Sequence, residues 1–209
     1  MTRIQPLVEA AADEQQIEML KALPDMQLFR TLAYAPAVAR GFVAHGISLL
    51  YESSLDPIWR ELVILAIAHE RNNRYEINEH ERIALEVNCP LEKIEFLRSR
   101  ADARVSNTIG SDKRASNKSH SDETASDVLT LEENTLIGFA MEMVREGAPT
   151  DAAYARVAAI LSEQEMVELV ACIAFYWGAA MFIDAFALEP EADGHDDNVK
   201  INQPPGKLP

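Results

Sequence analysis

The chain has 209 residues, 48% of them hydrophobic and 25% charged, which is the composition of a globular protein large enough to bury one core. Acidic residues outnumber basic ones by 34 to 19, and a net charge of −15 without a basic cluster argues against binding to nucleic acid. The cysteine count is two, Cys89 and Cys172, and their separation excludes both a disulfide framework and a CxxC metal site.

The N-terminal sequence and the apolar stretches bear on cellular location. No apolar core follows Arg3, as a secretory signal would require, and no run approaches the roughly 20 apolar residues of a membrane-spanning helix. We therefore expect a cytoplasmic protein with no membrane partner.

Apolar residues recur at steps of three and four along most of the chain, and this spacing predicts an all-α fold. Asp56-Pro57 marks the clearest helix start, because aspartate caps free amides and proline fits the first turn. In the first half of the chain we predict helices over 13–23, 36–52, 57–72, 75–87 and 90–98.

The segment 106–127 is predicted to be a mobile loop, because its residues 111–124 include no large apolar side chain. Capping boxes at 130–133 and 162–165 mark helix starts beyond it. We predict helices over 130–147, 150–161 and 162–186 there. The loop interrupts one helical domain, 25–188, which lies between an N-terminal extension, 1–24, and a C-terminal tail, 189–209.

The three-residue sequence Glu-Leu-Val occurs twice within the predicted helices. Glu61-Leu62-Val63 and Glu168-Leu169-Val170 each continue as an apolar run, and each run leads to a later Ala-Leu-Glu. A sequence this short also arises by chance among helices, but the matching helical context favours an internal helix-pair repeat.

The residues around the first copy of this sequence resemble the pattern of a known family. Arg60-Glu61-Leu62-Val63 is followed by Tyr75-Glu76 with His80 and Ala84, in the order found in the carboxymuconolactone decarboxylase family, which includes the alkylhydroperoxidase-like proteins. Phe29 to Pro36 and the later Tyr176 fit as well, so the resemblance covers about 25–188. It implies a single-domain, all-α helical bundle of the alkylhydroperoxidase-like type that forms trimers or hexamers.

This chain departs from the family at the cysteines of the peroxidase branch. That branch carries Cys-x-x-Cys-x-x-x-His, and the two cysteine positions before His80 are held here by Asn73 and Glu76. Thiol peroxidases need a low-pKa thiolate and usually a second thiol to resolve the sulfenic acid, and Cys89 is a poor substitute. The resemblance therefore implies the fold and a Glu/His site without redox cysteines or a cofactor.

Three residues are candidate catalytic groups. His80 can exchange protons near neutral pH, and Glu76, four residues earlier on the same helix face, is placed to orient its imidazole. Glu61 lies in an apolar helix, where a lone carboxylate is costly to bury, and the resemblance assigns its position to a proton relay. The competing interpretations are structural. Glu61 would pair with Arg60 of another subunit or with a surface lysine, and His80 would join a surface ion pair with neighbouring glutamates.

Four further residues are candidate substrate-binding groups, namely Tyr34, Arg60, His69 and Tyr75. A tyrosine hydroxyl suits a substrate carboxylate, whereas Tyr75 also fits simple core packing. A metal site built from Glu76, His80 and either Glu61 or His69 has the right ligand chemistry, but no His-x-x-x-His or Glu-x-x-His pair supports it, so we expect no metal.

These observations favour an enzyme that uses Glu/His acid–base chemistry on a small carboxylated lactone or related metabolite. Two alternatives remain open, an alkylhydroperoxidase-like antioxidant and a non-catalytic oligomeric binding protein of the same fold. We also expect a homo-oligomer, because the predicted helix 162–186 is apolar on more than one face and one chain offers few helices to cover it.

Overall fold

A computed structural model describes residues 2–109 and 128–191, with the backbone alone for 102–109. Within those ranges the chain is helical and contains no strand, which confirms the predicted all-α class. The α-helices are α1 (Glu14–Ala22), α2 (Gln27–Leu32), α3 (Pro36–Ile47), α4 (Pro57–Arg71), α5 (Arg74–Glu86), α6 (Leu91–Ile109), α7 (Leu131–Glu146), α8 (Asp151–Ala158) and α9 (Glu163–Phe186).

The helix starts follow the capping chemistry of the sequence. The Asp56 side chain accepts hydrogen bonds from the first amides of α4, and Thr130 and Ser162 form complete capping boxes at α7 and α9. Gly147 ends α7 at φ 84°, a left-handed conformation that glycine adopts without steric cost. The predicted helix starts at Asp56, Thr130 and Ser162 are therefore confirmed.

Three predicted segments differ from the structure. The helix predicted over 36–52 is α-helical only to Ile47 and continues as a π-helical turn, Ser48–Glu52. The helix predicted to end at residue 98 extends to Ile109, so 106–109 are helical and not loop. The remainder of the predicted loop, 110–127, and most of the predicted tail, 192–209, lie outside the described residues.

Helix α4 lies at the centre of the fold. It packs against α5, α6, α7 and α9, and it is buried from Arg60 to Ala68. The main apolar core forms around this helix, and a second core joins α1–α3 and the N-terminal segment to the end of α9. Any polar group in the middle of α4 is therefore removed from water.

Helix α9 is long and apolar enough, by length and composition, to cross a membrane, and no other helix in the described ranges is. This is weak evidence, because the core helix of a water-soluble protein passes the same test. Helix α9 packs against α4, α7 and α8, and 44% of its apolar window is buried. These contacts place one side of α9 against the rest of the fold, and the cytoplasmic location stays a prediction.

The carboxylate of Glu168 ties α9 to the loop before α4. Its Oε2 accepts hydrogen bonds from Ser53 Oγ at 2.8 Å, from Ser54 N at 2.8 Å and Oγ at 3.0 Å, and from Leu55 N at 3.0 Å. Partial burial raises the pKa of Glu168, but bonds from Gln164, Ser53 and Ser54 outweigh it and lower the pKa to about 2. The glutamate of the second Glu-Leu-Val sequence, Glu168, therefore holds the loop before α4 against α9.

Replacing Glu168 by Gln is expected to lower the free energy of unfolding by about 1–2 kcal/mol, the scale of a few charge-assisted hydrogen bonds near solvent. Because the folded pKa lies below the ordinary value of 4.5, this stabilisation is present above pH 4.5 and is lost as the pH falls towards 2. Urea denaturation between pH 7 and pH 2 measures it. Glu95→Gln, at an exposed position of α6, is the control, and an equal loss in both variants would contradict the assigned role.

Candidate functional site

A tight corner between α4 and α5 brings the candidate catalytic residues of both helices together. Asn72 ends α4 in the left-handed conformation, φ 52°, and Asn73 caps α5 by accepting a hydrogen bond from the backbone N–H of Glu76. Only these two residues separate the helices. Helices α4 and α5 consequently pack along each other, and Glu61 of α4 meets His80 of α5.

Glu61 is fully buried and paired on both sides. Its Oε2 lies 2.8 Å from Nδ1 of His80, and its Oε1 lies 2.9 Å from Nε of Arg60. Arg60 belongs to the same chain, so the expected alternative of a pairing with another subunit is not what the structure shows. Two cationic partners compensate the cost of placing the Glu61 carboxylate in the core.

His80 is only 4% exposed and faces carboxylates with both ring nitrogens. Besides the contact of Nδ1 with Glu61, Nε2 lies 3.3 Å from Oε2 of Glu76. Burial lowers the pKa of His80, but the two carboxylates outweigh burial and raise the pKa to about 9. At neutral pH the group is therefore an imidazolium that donates from both nitrogens, and it is not the surface ion pair considered from the sequence.

The four charged groups form a balanced buried cluster. Arg60 and His80 contribute two positive charges, and Glu61 and Glu76 contribute two negative charges. Each of these residues is at most 5% exposed. A cluster of this kind can store a proton on His80 and release it where a substrate gains a basic atom.

The walls of the cluster come from α9 and from the π-helical turn. The Tyr176 ring meets the His80 imidazole edge-on, with centroids 4.7 Å apart. Arg60 Nη1 donates to the carbonyl oxygen of Leu50 at 3.0 Å, which gives a partner to a carbonyl in the π turn. π-Helical turns occur frequently at functional sites, and here the turn holds the guanidinium of the cluster.

The other candidate residues lie apart from this cluster or serve packing. Tyr34 is 48% exposed, and its hydroxyl donates to the carbonyl oxygen of Gln5 at 3.3 Å. Tyr75 is buried in the second core, where burial raises its pKa well above the ordinary range. His69 lies in the last turn of α4, eight residues beyond Glu61, which corresponds to about 12 Å along a helix. The structure thus gathers Glu61, Glu76, His80 and Arg60 and leaves these three outside.

Two cavities of the described chain lie away from this cluster, along the N-terminal segment and α2. One has a volume of about 130 Å³ and the other of about 680 Å³, and Asp25 and Arg30 line both. In the ranges that the structure describes, no group of three or more His, Cys, Asp or Glu side chains is arranged to hold a metal ion.

Two residues of the site were not among the sequence-based candidates. The sequence marks Tyr176 only as a residue that fits the family pattern, and in the structure its ring meets the His80 imidazole edge-on. In the sequence, Asn73 is notable only because it occupies a cysteine position of the peroxidase branch. In the structure it is a buried N-cap of α5 whose side chain also donates a hydrogen bond to α9. The Asn-x-x-Glu spacing at the start of α5 was the available signal for the cap, because an asparagine there can accept from the amide three residues on.

The comparisons with known proteins agree with this architecture. The model of the carboxymuconolactone decarboxylase family matches residues 36–107, about a third of the chain, which includes Glu61, Glu76 and His80. No curated protein sequence matches the chain significantly.

Two solved structures share the fold. One, described as an alkylhydroperoxidase AhpD core and an uncharacterized peroxidase-related protein, comes from Ralstonia eutropha JMP134. It is 16% identical, with a TM-score of 0.61, and the match covers 91% of this chain and 93% of that one. The other, an uncharacterized peroxidase-related protein from Silicibacter sp. TM1040, is 16% identical with a TM-score of 0.66, covering 93% and 94%. At these identities the likeness shows the AhpD-like fold alone.

The family match falls on the helices that carry the Glu61–His80 pair, and the fold match extends over nearly the whole chain. The chain is therefore similar to the carboxymuconolactone decarboxylase family over residues 36–107, and it lacks the CxxC of the peroxidase branch.

Proposed function

We propose that the chain is a cofactor-independent enzyme of the carboxymuconolactone decarboxylase type that uses His80 as a proton donor to a small carboxylated lactone or related metabolite. The observation that supports this most is the placement of both ring nitrogens of His80 against carboxylates, at 2.8 Å and 3.3 Å. This arrangement keeps a proton on the imidazole at neutral pH, which is the state that a general acid needs.

The proposed reaction requires one proton and no redox partner. As carbon dioxide leaves, the electron pair of the broken carbon–carbon bond stays on the neighbouring carbon, and the conjugated carbonyl of the substrate carries the negative charge. His80 transfers its proton to that carbon, and the neutral imidazole then regains a proton from water. Glu61 holds the ring in place through Nδ1, so the donated proton comes from Nε2, where the contact with Glu76 is longer.

Arg60 fits the recognition of an anionic substrate by an acidic protein. Its guanidinium adds a positive charge to the same cluster that holds His80, and the π turn fixes its orientation. Because Nε2 of His80 is covered by Glu76, a substrate reaches it only when the Glu76 side chain swings away. The proposal therefore assigns Glu76 a movable role and Glu61 a fixed one.

The test is a screen of the purified full chain against carboxylated lactones and organic hydroperoxides, with His80→Gln beside the wild type. Carbon dioxide release that disappears in His80→Gln and persists in His45→Gln, an exposed histidine in α3, supports the proposal. Lactone turnover that is the same in His80→Gln as in the wild type would overturn it. Consumption of hydroperoxide would favour the alkylhydroperoxidase-like antioxidant. Ligand binding without turnover would favour the non-catalytic binding protein.

The thiols are expected to be dispensable for this activity. Burial raises the pKa of Cys89 to about 11 and raises that of Cys172 further, so both stay protonated at neutral pH, opposite to what a peroxidatic thiol requires. The Cys89→Ser, Cys172→Ala double variant should retain the wild-type turnover. Loss of turnover with unchanged circular dichroism would count against the acid–base proposal and in favour of thiol chemistry.

Homo-oligomerisation belongs to the same proposal and is expected to use the outer face of α9. Exposed residues of small or apolar type recur along this face at steps of three, four and seven, which places them on one side of the helix. They are Val167, Ala174, Gly178, Met181 and Ala185. Val167 and Met181 are 68% and 52% exposed, and a second copy would remove them from water.

Gly178→Arg is expected to separate the subunits, because a side chain at Gly178 meets no atom within 4 Å in the single chain and would project from the proposed contact face. Gly138→Arg in α7 is the matched control, since that glycine is equally open. Light scattering at micromolar concentration should show a wild type larger than the 23.2 kDa chain, an unchanged Gly138→Arg and a smaller Gly178→Arg. A monomeric wild type would end this part of the proposal.

A further inference from the structure

One buried side chain, Asn73, ties the start of α5 to α9. Its Oδ1 accepts from the backbone N–H of Glu76 at 2.9 Å, and its Nδ2 donates to the carbonyl oxygen of Ala180 at 3.2 Å and to Oδ1 of Asp184 at 2.9 Å. Asn73 is 2% exposed. Both amide hydrogens and the amide oxygen are thus used, which an aspartate or a serine at this position cannot reproduce.

The partner on α9 is itself held in place. Asp184 Oδ2 lies 2.6 Å from Nη2 of Arg71, in the last turn of α4, and the Arg71 guanidinium stacks 4.8 Å from the ring centre of Trp177. The corner between α4 and α5 is therefore clasped to the C-terminal half of α9 by Asn73, Asp184 and Arg71. We call these three residues the corner clasp.

The clasp lies about two helical turns before the proton donor, His80. Glu76 is in the first turn of α5, where the amides have no partner within the helix and the turn frays unless it is capped. Its carboxylate contacts Nε2 of His80 one turn further on. Motion of the first turn would therefore change the distance between Glu76 and His80, while Glu61 of α4 would keep its contact.

We propose that Asn73 and Asp184 are positioning residues of the His80 site, which fix the first turn of α5 against α9 and so keep the Glu76 carboxylate on Nε2 of His80. The catalytic consequence rests on the function proposed above, but the positioning itself is measurable without a substrate. At the position where the peroxidase branch has its first cysteine, this chain thus has a residue that orients the acid–base pair.

The readout is the pKa of His80, followed by NMR titration of the full chain and assigned by the signal that is lost in His80→Gln. The groups that contact His80 are Glu61 from α4, Glu76 from its own helix and Tyr176 from α9, and Arg60 is bound to Glu61 behind it. Glu76→Gln removes one counter-charge and sets the direction and the upper limit of the shift. Asn73→Ser, which keeps an acceptor for the cap and loses the bridge to α9, should lower the His80 pKa in the same direction by about 1 unit.

Asp184→Ala provides the second arm, because Asp184 is 40% exposed in its side chain and its loss leaves the core intact. It should also lower the His80 pKa, by less than Asn73→Ser. Asn134→Ser is the matched control, since the Asn134 amide donates to the carbonyl oxygens of Leu129 and Thr130 at the start of α7, away from His80. This control should leave the His80 pKa unchanged.

An unchanged His80 pKa in both clasp variants would overturn the positioning role. If Asn73→Ser does not fold, an unchanged His80 pKa in Asp184→Ala alone would overturn it. A lowered pKa in the clasp variants, together with lactone turnover that is the same in His80→Gln as in the wild type, would leave the clasp standing and reject the proposed function. The two proposals therefore fail by different results.

Discussion

Replacing Glu61 by Gln is expected to lower the free energy of unfolding by about 3–5 kcal/mol, the scale on which removal of one partner destabilises a buried ion pair. The substitution leaves the positive charges of Arg60 and His80 in the core with Glu76 as the remaining neighbouring carboxylate. His80 can relieve part of this cost by releasing its proton, because burial alone lowers its pKa. Urea denaturation of the full chain at pH 7 measures the loss.

Glu70→Gln is the matched control for Glu61→Gln. Glu70 lies on the same helix and also pairs with an arginine, since Nε and Nη2 of Arg145 lie 2.9 Å and 2.8 Å from its two carboxylate oxygens. That pair is partly exposed, so its loss should cost at most about 1 kcal/mol. Equal losses in the two variants would show that burial of Glu61 adds nothing to its contribution.

The sequence identified Glu61 and His80 as candidate residues, but it did not identify Arg60 as the partner of Glu61 within the same chain. Their separation and order follow a family pattern, so the two residues could be named before the structure was known. The bond from Arg60 to Glu61 was not predictable from spacing within one chain, because adjacent helix residues do not face each other. It forms because the long Arg60 side chain reaches both the π-turn carbonyls and the neighbouring carboxylate.

The two Glu-Leu-Val sequences show why local sequence does not determine the role of their glutamate. Glu61 is fully buried between two cations, whereas Glu168 lies near solvent and binds hydroxyl and amide donors of a loop. The tertiary neighbours of each helix decide the difference, since α4 is enclosed and this side of α9 meets the loop. The internal repeat stays a prediction, although its two helices pack against each other.

Helix α6 and Tyr34 show two further limits of the sequence. The helix runs to Ile109 although its last turns lack a regular apolar stripe, and residues 105–109 are weak helix formers that gave no local signal for this extension. The hydroxyl of Tyr34 is suited to a substrate carboxylate, but it bonds the backbone of the N-terminal segment. That segment is distant in sequence, so nothing local to Tyr34 indicated its partner.

The pH dependence of stability should report the charge of His80. Its pKa is about 9 in the folded chain against an ordinary value of 6.5, so its ion pairs stabilise the fold fully below pH 6.5, and this stabilisation is lost as the pH rises through 9. The difference corresponds to a loss on the order of 3 kcal/mol between these two pH values. Above pH 9 the neutral ring leaves two carboxylates, Glu61 and Glu76, buried beside the single cation of Arg60.

Urea denaturation of the wild type at intervals from pH 6 to pH 10 should therefore show decreasing stability across the upper part of this range, and His80→Gln should remove most of the slope. His45→Gln, at an exposed position of α3, should keep the wild-type slope, because that histidine lies outside the buried cluster. A wild type whose stability does not change between pH 6.5 and pH 9 would mean that His80 is neutral in the folded chain. The imidazole would then be a proton acceptor at neutral pH, and the direction of proton transfer proposed for the reaction would have to be reversed.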